Sequence, residues 1–232
     1  GSQDVGKVVD TMEIMNINVL FCIGGDGTLR GAHAIHEEIR NRNLKMAGAG
    51  IPKTIDNDID LIQKSFGFET AFSIANDIIR NAHNEAQGAY NGVAIVKLMG
   101  RDSGFIAASA ALAIQEVNFV LIPEVPFDLY GPRGFLKLLR KRLEDRHHAV
   151  IVVAEGAAKA ADVASSIKLL VGHEVRISVL GHIQRGGSPS ALDRLLSAQF
   201  SKKAIDLLME GKSDCMTAIH GKEVVAVPLE YV

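Results

Sequence analysis

The sequence predicts an α/β fold: two Rossmann-like lobes, each a mostly parallel sheet covered by helices. Three observations carry this. Short β-branched runs alternate with longer amphipathic stretches along all 232 residues, the rhythm of βαβ units. Two of those runs, 93–98 and 149–154, are apolar at nearly every position, as strands buried on both faces are. The polar residues suited to chemistry fall just after such runs, where open α/β sheets bind ligands.

Taken in order, strands are expected at 18–23, 92–98, 119–122, 149–154 and 175–180, with a weaker one at 224–228; each is short and bounded by turn residues. The polar run beginning at Gly50 follows another short apolar segment. Helices are expected at 5–15, 29–42, 69–84, 103–113, 133–146, 159–170 and 191–210, where apolar residues recur at helical spacing. No internal repeat or low-complexity linker interrupts the alternation.

Composition narrows the function classes. The hydrophobic fraction of 47% supports a real core, and the formal net charge is −2. No basic tract suggests nucleic acid, and no run of 18 apolar residues suggests a membrane span. Cys22 and Cys215 match no metal-ligand spacing and read as reduced, buried thiols of a cytoplasmic protein.

The stretch from Pro52 to Asp58 packs an ammonium (Lys53), a hydroxyl (Thr54), two carboxylates (Asp56, Asp58) and an amide (Asn57) into one turn. One acid can hold a metal while the other takes a proton from an alcohol, the equipment of a small-molecule kinase. A polar turn capping the next helix is the plainer alternative. Upstream, Gly24, Gly25, Asp26, Gly27 and Thr28 link an apolar run to a helix, with Gly31 in its first turn. Glycines admit a polyphosphate to the backbone, and the helix N-terminus offers free N–H groups. Asp26 is placed to hold Mg²⁺ against phosphate oxygens. Met99, Gly100 and Arg101 follow the run 92–98; Arg101 can stabilise charge on a transferred phosphoryl group. Glu155 ends another run and suits sugar hydroxyls, while His182 and Arg185, three apart among glycines, suit a dianionic phosphate.

These motifs, in this order, resemble the 6-phosphofructokinases: Gly-Gly-Asp-Gly-Thr, Pro-Lys-Thr-Ile-Asp-Asn-Asp, Met-Gly-Arg, Ala-Glu-Gly and Gly-His-Ile-Gln-Arg-Gly-Gly-Ser-Pro. NAD kinases and lipid kinases share the first motif but lack the combination. The resemblance implies phosphoryl transfer to the 1-hydroxyl of fructose 6-phosphate. It casts Asp56 as the base, Asp58 as a second metal-side acid, Thr54 near the transferred phosphate and Arg101 as the transition-state arginine. Ile55, Met99, Gly100, Glu155, His182 and Arg185 become sugar-phosphate contacts. Arg176 resembles an arginine that reaches the 6-phosphate from a neighbouring subunit, which implies a homodimer or homotetramer. The resemblance further implies a donor lobe at 1–67 plus 189–232 and a sugar-phosphate lobe at 68–188, with the site in the cleft. The family's first strand and Gly-rich loop would precede Gly1, so the donor lobe is expected to be N-terminally incomplete. A truncated, non-catalytic sugar-phosphate-binding chain is the corresponding alternative.

Two positions bear on the phosphoryl donor. In this family Gly27 is the choice of ATP enzymes, since an Asp there crowds the α-phosphate. Lys53 is typical of pyrophosphate enzymes, where its charge neutralises the donor. A missing side chain permits ATP, whereas a lysine does not forbid it, so ATP is the expected donor and pyrophosphate the alternative. Gly92, Asn118 and Glu144 depart from the bacterial pattern at positions tied to a second arginine and to effector binding, so bacterial-type control is not expected.

Overall fold

The computed structural model describes residues 4–232. In chain order the elements are α1 (Val5–Ile14), β1 (Val19–Gly24), α2 (Asp26–Asn41), β2 (Ala47–Thr54), β3 (Phe66–Gly67), α3 (Phe68–Gln87), β4 (Gly92–Leu98), α4 (Phe105–Ile114) and β5 (Phe119–Leu121). They continue with α5 (Phe135–Arg146), β6 (His148–Ala154), α6 (Ala160–Val171), β7 (Val175–Val179), a 3-10 turn (Gly181–Arg185), α7 (Ala191–Met209), β8 (Cys215–His220) and β9 (Glu223–Pro228). A last 3-10 turn spans Leu229–Tyr231. No helix among the described residues is long and apolar enough to cross a membrane.

The chain divides into two compact units, 1–68 with 189–232, and 69–188. In the first, the strand order is β1-β2-β8-β9, parallel except for the β8–β9 hairpin, and the short β3 pairs with the end of β2. Helices cover both faces. Leu29 and Ala32 of α2 pack with Met216, Ala218 and Leu229 on one side, while Leu196, Phe200 and Ala204 of α7 pack with Ala49 and Ile51 on the other. The alternation of β2 explains this: Ala49 and Ile51 meet α7, and the positions between and before them, Gly50 and Gly48, turn to α2. A Cβ on Gly50 would stand 2.6 Å from Leu29 Cδ2, so the missing side chain is what lets α2 lie this close.

In the second unit, four parallel strands run β5-β6-β4-β7. Val93, Ile95, Ile151 and Val153 point into a cluster with Leu136, Leu139 and Leu143 of α5 and Val163 and Ile167 of α6. The intervening residues Ala94, Val96, Leu98, Val150, Val152 and Ala154 are buried as well, so β4 and β6 are covered on both faces. Helix ends are made by local chemistry. Ser190 caps α7 by accepting the Asp193 N–H, and α4, α5 and α6 each end on a left-handed residue, Gln115, His147 and Gly172.

The structure differs from the sequence expectation in several places, the main ones as follows. Strands β2, β3 and β8 form where the sequence pattern bounds no strand, and β9 runs antiparallel to β8. Helix α2 starts at Asp26 rather than 29. The segment 103–104 lies outside α4, which begins at Phe105. Cys22 is only half-buried, although Cys215 is buried; both thiols are free, and burial raises the pKa of each.

Candidate active site

In the first unit, parallel pairing sets two polar turns side by side. The β1–β2 register places Ile23 beside Ile51 and Gly24 beside Pro52. The turn after β1 (Gly25 to Thr28) and the turn after β2 (Ile55 to Asp58) therefore leave the same carboxyl edge of the sheet from adjacent strands. A Cβ on Gly25 would come within 3.9 Å of Thr54 Cβ.

The glycines of the first turn divide by environment. A Cβ on Gly24 would collide with the Thr28 side chain at 2.3 Å, so Gly24 is required by packing. Gly27 and Gly31 face open space, with nothing within 4 Å of where a Cβ would stand; packing does not require them. Asp26 opens α2, its Oδ1 accepts the Gly27 N–H at 2.5 Å, and its Oδ2 pairs with Arg30. Both partners of that ion pair are more than half exposed, so the pair is weak, on the order of 0.2–1 kcal/mol, and can yield to a cation.

The second turn is held by residues outside the catalytic candidates. Asn57 adopts a left-handed φ of 54°. Its Oδ1 accepts the Ser65 N–H at 2.7 Å and the Ser65 hydroxyl at 3.2 Å, while its Nδ2 donates to the Gln63 carbonyl at 3.1 Å. Ser65, buried, is paired with the Thr54 carbonyl at 2.8 Å. The Thr54 hydroxyl accepts the Asp56 N–H at 3.1 Å, a local turn that leaves its own proton to be donated elsewhere. Asp56 and Ile55 are half-buried; Lys53 and Asp58 are exposed. Sequence reasoning missed Asn57 and Ser65 as a scaffold, though Asn in a tight turn before a two-residue strand is a signal for one.

In the second unit, the carboxyl edge gathers three further segments. Glu155 follows β6, Met99-Gly100-Arg101 follows the adjacent β4, and the 3-10 turn with His182 and Arg185 follows β7 on its other side. Backbone bonds fuse them: Glu155 N–H donates to the Leu98 carbonyl at 2.9 Å, Gly156 N–H to the Gly100 carbonyl at 3.0 Å, and Leu180 N–H to the Lys97 carbonyl at 3.1 Å. A Cβ on Gly156 would stand 1.7 Å from the Arg101 carbonyl oxygen, and one on Gly100, at φ +121°, would stand 2.4 Å from the Ser103 carbonyl oxygen. Gln184, 1% exposed, accepts the Met99 N–H at 2.9 Å and donates to the Ala71 carbonyl at 3.3 Å. The Met99 N–H and Gly100 carbonyl thus have partners already. Arg101, Glu155, His182 and Arg185 are all exposed.

Arg176 stands apart. It is the second residue of β7, paired in register with Ala94, three positions before the strand's carboxyl end, and its guanidinium pairs with Glu85 at 2.9 Å. Its own chain does not bring it to the cluster.

Among the described residues, no group of three or more His, Cys, Asp or Glu side chains is arranged around a common ion position. Mg²⁺ does not require one, because it takes one or two carboxylates, keeps waters and is completed by phosphate oxygens. Asp26, beside the open backbone at Gly27, and Asp58 are both exposed carboxylates, the kind of ligand that demand calls for.

Two α/β units with glycine-bearing and acid-bearing turns at the carboxyl ends of mostly parallel strands define a doubly wound class of fold that binds ligands at those ends. The chain belongs to the phosphofructokinase family: the family model described as "Phosphofructokinase" matches residues 2–208. It is 41% identical to the ATP-dependent 6-phosphofructokinase of Borreliella burgdorferi, with 97% of this chain and 57% of that protein aligned. It is 37% identical to the enzyme of that name from Amycolatopsis methanolica (98% and 57%) and 54% identical to ATP-dependent 6-phosphofructokinase 5, chloroplastic, of Arabidopsis thaliana (68% and 30%). The chain thus spans between about a third and three-fifths of these curated relatives. The pyrophosphate-dependent phosphofructokinase of Marinobacter aquaeolei shares the fold at TM-score 0.86 and 24% identity, over 97% of this chain and 62% of that one.

Proposed function

We propose that this chain carries the catalytic segments of a 6-phosphofructokinase that moves a phosphoryl group from ATP to the 1-hydroxyl of fructose 6-phosphate. The single observation that supports this most is the adjacency, on neighbouring parallel strands, of the Gly25–Thr28 turn and of Thr54 at the end of β2 with the Ile55–Asp58 turn that follows it. It sets a phosphate-admitting backbone next to two carboxylates and a hydroxyl. The names of the curated relatives, ATP-dependent 6-phosphofructokinases, support this donor and reaction.

In this reading the first unit binds the donor. Gly25, Gly27 and the first turn of α2 meet its phosphates, and the open space at Gly27 and Gly31 is the room they need. Asp26 and Asp58 hold Mg²⁺, which when bound neutralises charge on the phosphate oxygens. Asp56 takes the proton of the 1-hydroxyl as that oxygen bonds to the γ-phosphorus and the bond to the β-phosphate oxygen breaks, its electron pair leaving with ADP. Thr54 donates its hydroxyl proton to the transferring group. The second unit binds the sugar phosphate: Arg185 and His182 take the 6-phosphate, Glu155 the ring hydroxyls, and Arg101 the charge that develops in flight. Arg176, remote from this cluster and exposed, serves a neighbouring copy, so the active form is a homo-oligomer, acting in the cytoplasm.

Lys53 favours a second reading, pyrophosphate as donor: it is exposed at the carboxyl end of β2, one residue from Thr54. A coupled assay with fructose 6-phosphate and either Mg-ATP or Mg-pyrophosphate separates them. Turnover with ATP is expected; turnover with pyrophosphate alone reverses the donor. Sugar-phosphate binding with neither donor turned over identifies a non-catalytic chain.

A further inference from the structure

Between β4 and α4 the chain makes the tight turn that carries Arg101, and this turn is tied at both ends. At the near end, Gln184 accepts the Met99 N–H at 2.9 Å, and the Gly100 carbonyl accepts the Gly156 N–H at 3.0 Å. At the far end the tie comes from a residue outside the candidate site. Glu124, in the loop after β5, accepts the Gly104 N–H at 2.7 Å through Oε1.

The surroundings make this bond more than a surface contact. Glu124 is an exposed residue, but Gly104 is buried. Without the carboxylate, the Gly104 N–H would be a buried donor with no acceptor. A Cβ on Gly104 would stand 2.4 Å from Ile122 Cβ and 2.8 Å from Glu124 Oε2. Ile122 therefore requires glycine here, and the missing side chain lets the carboxylate lie against the backbone. Helix α4 also starts without resources of its own. Its N-cap residue, Gly104, makes no side-chain cap bond, and its first turn holds no acid. Glu124 supplies both from another strand: an acceptor for the N-cap N–H, as the acid of a capping box does, and a negative charge at the positive end of the helix.

We propose that Glu124 is a positioning residue for Arg101. It fixes the far end of the turn, so the exposed guanidinium projects from backbone held on both sides. This rests on the reading that Arg101 stabilises the transferring phosphoryl group. An arginine that meets charge in flight depends on where its backbone stands, and a displacement of about 1 Å can cost about 100-fold in rate. Because Arg101 acts on the transition state in that reading, the loss falls on kcat rather than on KM.

Two measurements on the full protein test this. The first needs no turnover. Hydrogen–deuterium exchange across 99–105 should quicken in Glu124→Ala and stay near wild type in Glu124→Gln, whose amide oxygen still accepts the Gly104 N–H. Unchanged exchange in Glu124→Ala would overturn the anchor. If that variant fails to fold, Glu124→Asp, one methylene shorter, takes its place. The second is a double-mutant cycle with Mg-ATP and fructose 6-phosphate. Glu124→Ala should lower kcat about 10- to 100-fold with KM for the sugar phosphate within about 3-fold of wild type. Made on top of Arg101→Ala, the same change should cost less than about 3-fold more, because the group it positions is gone. An equal loss in both backgrounds, or Glu124→Gln as slow as Glu124→Ala, would overturn positioning through Arg101. Full turnover in Arg101→Ala would instead remove the role assigned to the arginine, and the exchange result then shows whether the anchor itself stands.

Discussion

Asn57 and Ser65 are joined by a 2.7 Å hydrogen bond from the Ser65 backbone N–H to the Asn57 side-chain oxygen, across a loop of seven residues. The bond closes the acid-bearing turn from below: Asp56 precedes Asn57 and Asp58 follows it, so the direction of both carboxylates depends on a side chain that does no chemistry.

Replacing Asn57 tests that dependence. Asn57→Gly removes three hydrogen bonds but tolerates the left-handed backbone; Asn57→Ala removes them and adds about 1–2 kcal/mol of backbone strain. Urea titrations should rank wild type above Asn57→Gly and Asn57→Gly above Asn57→Ala. Equal midpoints for the two variants would show that the backbone conformation relaxes.

Gln184 performs the comparable task in the other unit. Gln184→Leu leaves the Met99 N–H and the Ala71 carbonyl without their buried partner, at about 1–3 kcal/mol for an unsatisfied group. Lower thermal stability is expected, and with it weaker fructose 6-phosphate binding by calorimetry. Unchanged binding in a destabilised variant would confine Gln184 to a packing role.

Gly27→Asp separates folding from donor choice. Nothing lies within 4 Å of the position a Cβ would take, so the fold should accept the change with a shift in melting temperature of a few degrees at most. Under the proposed function the added carboxylate would oppose the donor's phosphates, so ATP turnover should fall at least about 100-fold, the order expected when a like charge opposes a bound phosphate at short range. Retained ATP turnover would move the phosphates away from this turn.

Stability should depend on His36. It is buried on α2 near Ser213 and Asp214, and burial holds its pKa below the ordinary histidine value, with His33 and Arg40 acting the same way and Asp214 opposing. The unfolded chain therefore binds this proton more readily than the folded one. Its contribution is complete above the unfolded value, about 6.5, and is lost as pH falls from there toward the lowered folded value. Urea midpoints at pH 7.5 and 5.5 should differ more in the wild type than in His36→Leu. An equal difference would assign the acid sensitivity to other groups.

Most helices and the central strands are legible in the sequence because their periodicity is strong: β4 is expected at 92–98 and occupies those residues. β2 escapes the pattern because Ala47–Thr54 is built largely of Ala, Gly and Pro where strands usually show branched residues. Those small residues answer to α2, whose Leu29 and His36 occupy the space that side chains at Gly50 and Gly48 would need. The same holds for the start of α2, where Gly25 and Gly27 mask a helix that begins at Asp26. The motifs name the candidate acids and arginines. Their supports stay hidden because Asn57 finds Ser65, and Gln184 finds Met99 and Ala71, only after the chain has folded.

The contact between Gly156 and the Arg101 carbonyl carries a consequence for redesign. With no room for even a methyl group between them, the turns bearing Arg101 and Glu155 form a single hinge-free plate. Neither can be widened, tilted or re-sequenced alone. A library aimed at a bulkier ligand has to vary both turns together, and natural variants at the two should come in matched pairs.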